Sequence, residues 1–337
     1  MLNIEKNHKL AKYTTLKAGD TAQYFTVVKT KDELIEAIAF SRFHKIPVVV
    51  LGGGSNILFS GKIKGLVIKN EIKGIEIVKE TKTRAYLRAY SGESWSSFVS
   101  YAVSHKLYGL ENLFLIYGTV GAAPVQNIGA YGVELKDVFY SLRAIDLKTG
   151  KEKVFKTDDC HFAYRSSIFK GLLKNKYFIY QVTVVLSKVA KLKLDYGSIK
   201  DNLEKKGIRK PGLKEVIKVI SEIRNSKLPN PYVLSNAGSF FKNPEISKTV
   251  FEKIQKKYPE IPFFLSQKKI KIPAAWLIEH AGFKGKKFGP VRMYEKQALI
   301  LVSEGGSAKQ ILKLVNLVKK GVKTKFGLDL KEEVNVI

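Results

Sequence analysis

The chain has 337 residues, 45% of them apolar, and its 59 Lys and Arg against 30 Asp and Glu give a formal net charge of +29. This length exceeds one typical domain and leaves ample core; no stretch reaches the roughly 18 apolar residues of a membrane span, and the single cysteine, Cys160, excludes an internal disulfide framework. The charge raises nucleic-acid binding as a reading, but the lysines are dispersed, far outnumber arginine and sit in no RNA-binding or helix-turn-helix pattern, so a positive field that attracts anionic small molecules fits better.

In chain order, Thr30-Lys31-Asp32-Glu33 is a capping box, and Leu34, Ala37, Ile38 and Ser41 then share one helical face. The apolar run Ile46 to Leu51 predicts a strand that enters Gly52-Gly53-Gly54-Ser55-Asn56, a backbone nest suited to a pyrophosphate. Short strands are predicted at Leu66 to Lys69, Ile75 to Val78 and Ala85 to Tyr90, followed by a helix carrying Trp95, Phe98, Val99 and Ala102. Between Leu110 and Leu135 lies a run no ordinary core strand would have. Its glycines 118, 121, 129 and 132, with Thr119, Pro124 and Asn127 between them, predict a folded loop whose amides can close on a phosphate or ring system. Strands are expected near Ser141 to Leu147 and Tyr177 to Leu186. Beyond Tyr196-Gly197 helices dominate: one with Val216, Ile217, Ile220 and Ile223 inward, one with Val250, Phe251, Ile254 and Tyr258 inward, and one capped by Ser307 that buries Ile311, Leu314, Val315, Val318 and Val322. Breaks near residue 65 and between 190 and 212 divide the chain into 1–65, 66–200 and 201–337. Cys160 beside His161 lacks the partners of a zinc site and is read as structural, and no metal is expected. The five histidines suggest no catalytic triad, and no G-x-S-x-G elbow is present.

The two glycine loops, the run Tyr164 to Lys170 around Arg165, the run Asn236 to Pro244 around Ser239 and the closing Leu330 to Val334 occur in the order found in one family. Together they resemble the UDP-N-acetylenolpyruvoylglucosamine reductases of peptidoglycan synthesis, MurB, and Tyr196 suggests the subgroup with a tyrosine loop. The resemblance implies an α+β fold: an FAD-binding fold of the vanillyl-alcohol-oxidase/PCMH type in two subdomains, 1–65 and 66–200, and a substrate-binding domain, 201–337, whose last residues return to the active site. It implies NADPH-dependent reduction of UDP-N-acetylglucosamine enolpyruvate through FAD, a hydride donor that no side chain can replace.

The same resemblance places Gly53, Gly54, Ser55 and Asn56 at the pyrophosphate, and Thr119, Gly121, Ala122, Gly129 and Ala130 around the flavin and ribityl chain. Neither loop has the His or Cys to which related flavoproteins attach FAD, so a non-covalent cofactor is expected. Tyr196, Lys227, Asn243 and Gln297 fall on the family's substrate-binding positions. Arg165 would grip the substrate carboxylate, assisted by Glu333, while Ser239 would protonate the carbon left as an enolate after hydride addition. Lys331 departs from the family's common glutamate, outside the catalytic set. A soluble, cytoplasmic monomer is expected, with UDP-sugar and NADPH as partners and neither nucleic acid nor membrane among them. Another FAD oxidase of this fold stays open, but it has no reason to keep Arg165, Ser239 and Glu333 together.

Overall fold

The structure is a computed structural model that describes residues 2–195, 198–266 and 269–337. The chain forms two compact units: residues 1–8, 22–54 and 63–226 build one, and residues 9–21, 55–62 and 227–337 build the other. The strand-to-glycine turn at 52–56 therefore begins in the first unit and ends in the second.

The first unit carries two sheets. In one, Glu5–Lys9, Thr21–Val28, Ile63–Asn70 and Val48–Leu51 lie in that order, and the last three pair in parallel. Buried parallel strands need apolar residues on both faces, and Leu66, Val67 and Ile68 are all fully buried. The helix Lys31–Phe43 covers this sheet with Leu34, Ala37 and Ile38, and its capping box is formed as expected, with Thr30 accepting from the Glu33 amide. The second sheet is antiparallel, ordered Glu152–Lys156, Phe139–Asp146, Tyr177–Ser187, Arg84–Tyr90, Ile75–Glu80. Its inner face packs on the helix Trp95–Ser104 and on the glycine loop through Trp95, Phe98, Val120 and Ala123.

Helix Leu213–Lys227 belongs to this unit by its contacts, beyond the expected cut at 200. Its stripe Val216, Val219, Ile220 and Ile223 packs on Ile199 and Leu203, with Tyr131, Leu192 and Leu194 against the same cluster. Val219 is buried where Ile217 was expected, because the i, i+3, i+4, i+7 set that starts at Val216 includes 219.

In the second unit, Asn236–Ser239, Ile300–Ser303, Val291–Met293 and Lys287–Phe288 form an antiparallel sheet, and Glu245–Ile246, Lys269–Lys271 and Phe264–Ser266 form a smaller one. Helix Ala308–Phe326, capped by Ser307, buries all five residues expected of it. Helix Lys248–Lys257 buries Phe251 and Ile254, but Val250, expected in the core, is 41% exposed. The helix is only ten residues long and presents a single narrow stripe to its neighbours. Asn335–Val336 pairs in parallel with Ile57–Leu58, bringing the end of the chain against the residues that follow the glycine turn.

Candidate active site

In the first unit the two glycine loops pack backbone against backbone. A Cβ on Gly53 would stand 2.9 Å from the Gly118 Cα, and one on Gly52 2.5 Å from the Thr119 Oγ1. Gly121 is equally constrained, since its Cβ would lie 2.4 Å from that of Ser91. Gly54 has φ +67, a conformation that favours glycine, and closes the turn. Ala122 is exposed and Gly121, Gly129 and Ala130 are half-buried, so the loop presents backbone rather than side chain to a ligand. The Thr119 Oγ1 is buried and finds no hydrogen-bond partner among the described residues, which leaves it available to a bound group. The loop starts at Glu111, a carboxyl buried beneath the surface and pushed above its ordinary range by that burial, whose oxygen accepts from the Gly109 amide at 2.6 Å.

Arg165 stands at the tip of a two-residue hairpin. Ala163 and Ser166 exchange both backbone hydrogen bonds at 3.1 Å, and Arg165 sits between them at φ +50. Position i+2 of such a turn ordinarily holds Gly or Asn, so a guanidinium there is kept at a conformational cost. Its Nη2 donates to the Gly129 carbonyl at 2.8 Å, and a Cβ on Gly129 would lie 3.1 Å from its Nη1. The hairpin is docked on the glycine loop at further points: the Ser167 Oγ donates to the Val125 carbonyl at 2.7 Å and the Lys170 Nζ to the Gln126 Oε1 at 3.0 Å. Arg224, which sequence reasoning left without a role, lies in the same neighbourhood. Burial lowers its pKa, the Tyr131 hydroxyl is bonded to it, Tyr117 is close, and the Arg165 guanidinium repels it. Two guanidiniums whose charges act on each other favour an anion beside them. The only signal for Arg224 in the sequence was a basic residue on an otherwise amphipathic helix, which surface arginines give as well.

In the second unit the strand Asn236–Ser239 opposes Ile300–Ser303 with a bulge: Asn236 faces Val302 and Ser239 faces Ile300. Gly238 lies in the bulge at φ +68, and nothing lies within 4 Å of where its Cβ would be, so backbone conformation rather than crowding requires glycine there. The turn is held by the Asn236 Oδ1, which accepts from the Gly238 amide at 2.9 Å. Ser239 is half-buried while Phe240 and Phe241 behind it are almost fully buried, which keeps water from that side. The Phe240 carbonyl accepts from the Glu333 amide at 2.8 Å, and the Lys242 amide donates to the Lys331 carbonyl at 2.8 Å. Glu333 is further tied to the turn residue Asn56, whose Nδ2 donates to its carbonyl at 3.3 Å; Asn56 in turn accepts from the Asn335 amide and side chain. Glu333 is thus tied both to Phe240, the residue after Ser239, and to Asn56. Glu332 is engaged by the Lys319 Nζ at 2.8 Å, which separates its part from that of Glu333.

Of the remaining expected residues, the Asn243 Oδ1 accepts from the Ala274 amide at 2.9 Å, Gln297 turns the chain into the strand Ile300–Ser303, and Lys227 is exposed at the end of its helix. Tyr196 lies outside the described residues. Cys160 is buried, its thiol pushed up to about 12 chiefly by that burial, in keeping with a structural part. Among the described residues no cluster of three or more His, Cys, Asp or Glu could hold a metal, and no helix is long and apolar enough to cross a membrane.

Residues 22–156 match the profile of the FAD binding domain, and residues 230–337 match that of the UDP-N-acetylenolpyruvoylglucosamine reductase C-terminal domain. The chain is 43% identical to the UDP-N-acetylenolpyruvoylglucosamine reductase of Flavobacterium johnsoniae over all of both chains. It is 41% identical to that of Bdellovibrio bacteriovorus, covering 98% of this chain and 99% of the relative. The chain belongs to the UDP-N-acetylenolpyruvoylglucosamine reductase (MurB) family. The MurB crystal structure from Thermus caldophilus superimposes with a TM-score of 0.67 at 22% identity, covering 100% of this chain and 99% of that one, so the fold is that of MurB along the whole chain. The α+β organisation expected from the sequence, an FAD-binding part followed by a MurB-type C-terminal part, holds. The residues present fit FAD: a nest at the end of a parallel strand, glycines that admit no side chain, and a buried hydroxyl open to a ligand.

Proposed function

We infer that this protein is an oxidoreductase that uses NADPH and non-covalent FAD to reduce UDP-N-acetylglucosamine enolpyruvate to UDP-N-acetylmuramate in the synthesis of peptidoglycan precursors. The observation that carries this reading is the Arg165 hairpin bonded to Gly129, which sets a carboxylate-gripping group against the glycine loop of an FAD-binding domain. Another oxidase of this fold would have no use for that group, nor for the joined Ser239 and Glu333.

Bound FAD would supply the chemistry that no side chain has, carrying a hydride from NADPH to the methylene carbon of the enolpyruvyl group. Gly53, Gly54, Ser55 and Asn56 would hold its pyrophosphate, and Thr119, Gly121, Ala122, Gly129 and Ala130 would lie around its ring and ribityl chain. Arg165 holds the substrate carboxylate in two-point fashion and, with the Glu333 carboxyl bonding through a proton, stabilises the enolate on that side. Ser239 donates its hydroxyl proton to the neighbouring carbon and regains a proton from solvent, so that one hydride and one proton enter the product. Arg224 adds a second positive charge near Arg165, suited to the anionic substrate. Tyr196, Lys227, Asn243 and Gln297 bind the UDP-sugar. We read 1–65 and 66–200 as the two FAD-binding subdomains, 201–337 as the substrate domain, and the protein as a cytoplasmic monomer that takes no nucleic acid and spans no membrane.

The test is NADPH oxidation by the FAD-loaded protein with and without UDP-N-acetylglucosamine enolpyruvate. Oxidation that depends on this acceptor is the expected result. Oxidation that ignores it, with oxygen consumed instead, would leave an FAD oxidase.

A further inference from the structure

We propose that Asn127 is the positioning residue for Arg165, acting through the backbone of the Arg165 hairpin. This deepens the reading above and rests on the part given there to Arg165.

Asn127 is fully buried and has φ +45, a conformation that Asn tolerates better than most side chains. Its amide is engaged on both sides. The Oδ1 accepts from the Lys136 amide at 3.0 Å; the Nδ2 donates to the Glu134 Oε2 at 3.0 Å and to the Ala163 carbonyl at 3.2 Å. Ala163 is one of the two residues whose paired backbone defines the Arg165 turn. The side chain therefore joins three segments: the glycine loop in which it lies, the hairpin Gly129–Ala130 with Val133–Glu134, and the Arg165 turn.

Arg165 needs such a brace because its own backbone opposes the conformation it holds. A residue other than Gly or Asn at φ +50 is strained and persists only when its surroundings over-determine it. The guanidinium bond to the Gly129 carbonyl cannot do this alone, since a guanidinium that grips a carboxylate must be free to adjust. The fixed point is Ala163, two residues upstream, and Asn127 holds it from a loop that Pro124 and the 3-10 turn Val120–Gln126 keep rigid. Aspartate at 127 would keep the acceptor for the Lys136 amide but turn an oxygen toward both the Glu134 carboxylate and the Ala163 carbonyl. The hairpin would then be pushed away rather than held.

The experiment compares Asn127→Asp, Arg165→Lys and the double variant, each loaded with FAD, in two half-reactions: flavin reduction by NADPH, and reoxidation by UDP-N-acetylglucosamine enolpyruvate. Asn127→Asp is expected to reduce with NADPH at close to the parent rate and to lose roughly 10- to 100-fold in the reoxidation rate constant, with a smaller change in half-saturating substrate, because a displacement of about 1 Å at a gripping group costs about that much. In the Arg165→Lys background the further loss should fall to about 2-fold or less, the coupling expected of residues that act as one unit. Unchanged reoxidation in Asn127→Asp, or a full loss repeated on top of Arg165→Lys, would overturn the proposal while leaving Arg165 in place. Normal reoxidation by Arg165→Lys alone would instead remove the part given to Arg165, a separately recognisable result. Should Asn127→Asp fail to retain FAD, Asn127→Gly, which accepts the positive φ and removes the brace without adding charge, is measured in its place and judged by the same outcomes.

Discussion

The Glu333 amide donates to the Phe240 carbonyl across 2.8 Å, so a residue near the end of the chain is fixed beside the bulge that aims Ser239. This bond runs through backbone alone, so it survives side-chain replacement at Glu333 or at the neighbouring Ser239. Ser239→Ala is therefore expected to fold with unchanged thermal stability and normal flavin reduction by NADPH, but to lose about 10² to 10⁴ in reoxidation by the enolpyruvyl substrate. Glu333→Gln should lose a comparable factor, while Glu332→Gln, which releases only the Lys319 ion pair, should keep its activity within a few-fold. Rapid-mixing flavin absorbance separates the two half-reactions; full reoxidation in Ser239→Ala would remove the serine from the proton transfer.

Arg165→Ala and Arg165→Gly both remove the guanidinium and should be equally inactive with substrate. They should differ in stability, because only glycine takes φ +50 without strain. Arg165→Gly is expected to be more stable than Arg165→Ala by about 1 kcal/mol, read from urea midpoints at equal slope. Equal midpoints would mean that the turn relaxes in the alanine variant.

Gly53→Ala places a Cβ 2.9 Å from the Gly118 Cα, a backbone atom that cannot step aside without moving the second glycine loop. The expected outcome is a folded protein that purifies without its yellow colour and recovers little absorbance when FAD is added. Gly61, where a Cβ would meet nothing within 4 Å, provides the control: Gly61→Ala should keep its colour. A yellow Gly53→Ala protein would show that the loops can separate without loss of the cofactor.

Glu152 joins three elements of the first unit, accepting from the Lys31 Nζ at 2.8 Å and the Arg143 Nη1 at 3.0 Å. The Lys31 hydrogen bond is the largest influence on its carboxyl and holds it below the ordinary 4.5. A carboxyl with a lowered folded value contributes stability above its unfolded value, and that contribution is lost as pH falls through the lower, folded value. Glu152→Gln should thus unfold earlier than the parent at pH 7 by about 0.5 kcal/mol, a modest figure because the pair is partly solvated, and the difference should vanish on acidification well below pH 4.5. Thermal midpoints of both proteins from pH 7 to pH 3 measure it; a gap that persists at the acid end would place the effect in packing rather than charge.

Local chemistry made much of this fold legible beforehand. The capping box at Thr30, the cap at Ser307, the strand ending at Leu51 and the apolar stripe of the last helix each follow from residues within one or two turns of chain, and the structure reproduces them. The glycines of the two loops were equally readable, because nothing but close approach or positive φ explains so many in so short a span. What distance along the chain conceals is harder. The pairing of Asn335–Val336 with Ile57–Leu58 involves strands of two residues, too short for any periodicity to mark. The surroundings of the half-buried Arg224 and the three-way engagement of Asn127 depend on partners that only the folded chain supplies, and Val250 was misplaced because a short helix buries a narrower stripe than its apolar residues suggest.

The parallel pairing of Ile57–Leu58 with Asn335–Val336 also bears on the order in which the protein takes shape. The bond between Asn56 and Glu333 spans 277 residues, and the Ser60 amide reaches to the Ile337 carbonyl. During synthesis the first half of the glycine turn can settle as soon as its parallel sheet forms, whereas Ser55 to Lys62 must wait, without their partners, until the ribosome has delivered residues made nearly three hundred codons later. A nascent chain stalled before that point would carry a half-built cradle, so cofactor capture becomes one of the last events of folding rather than its seed.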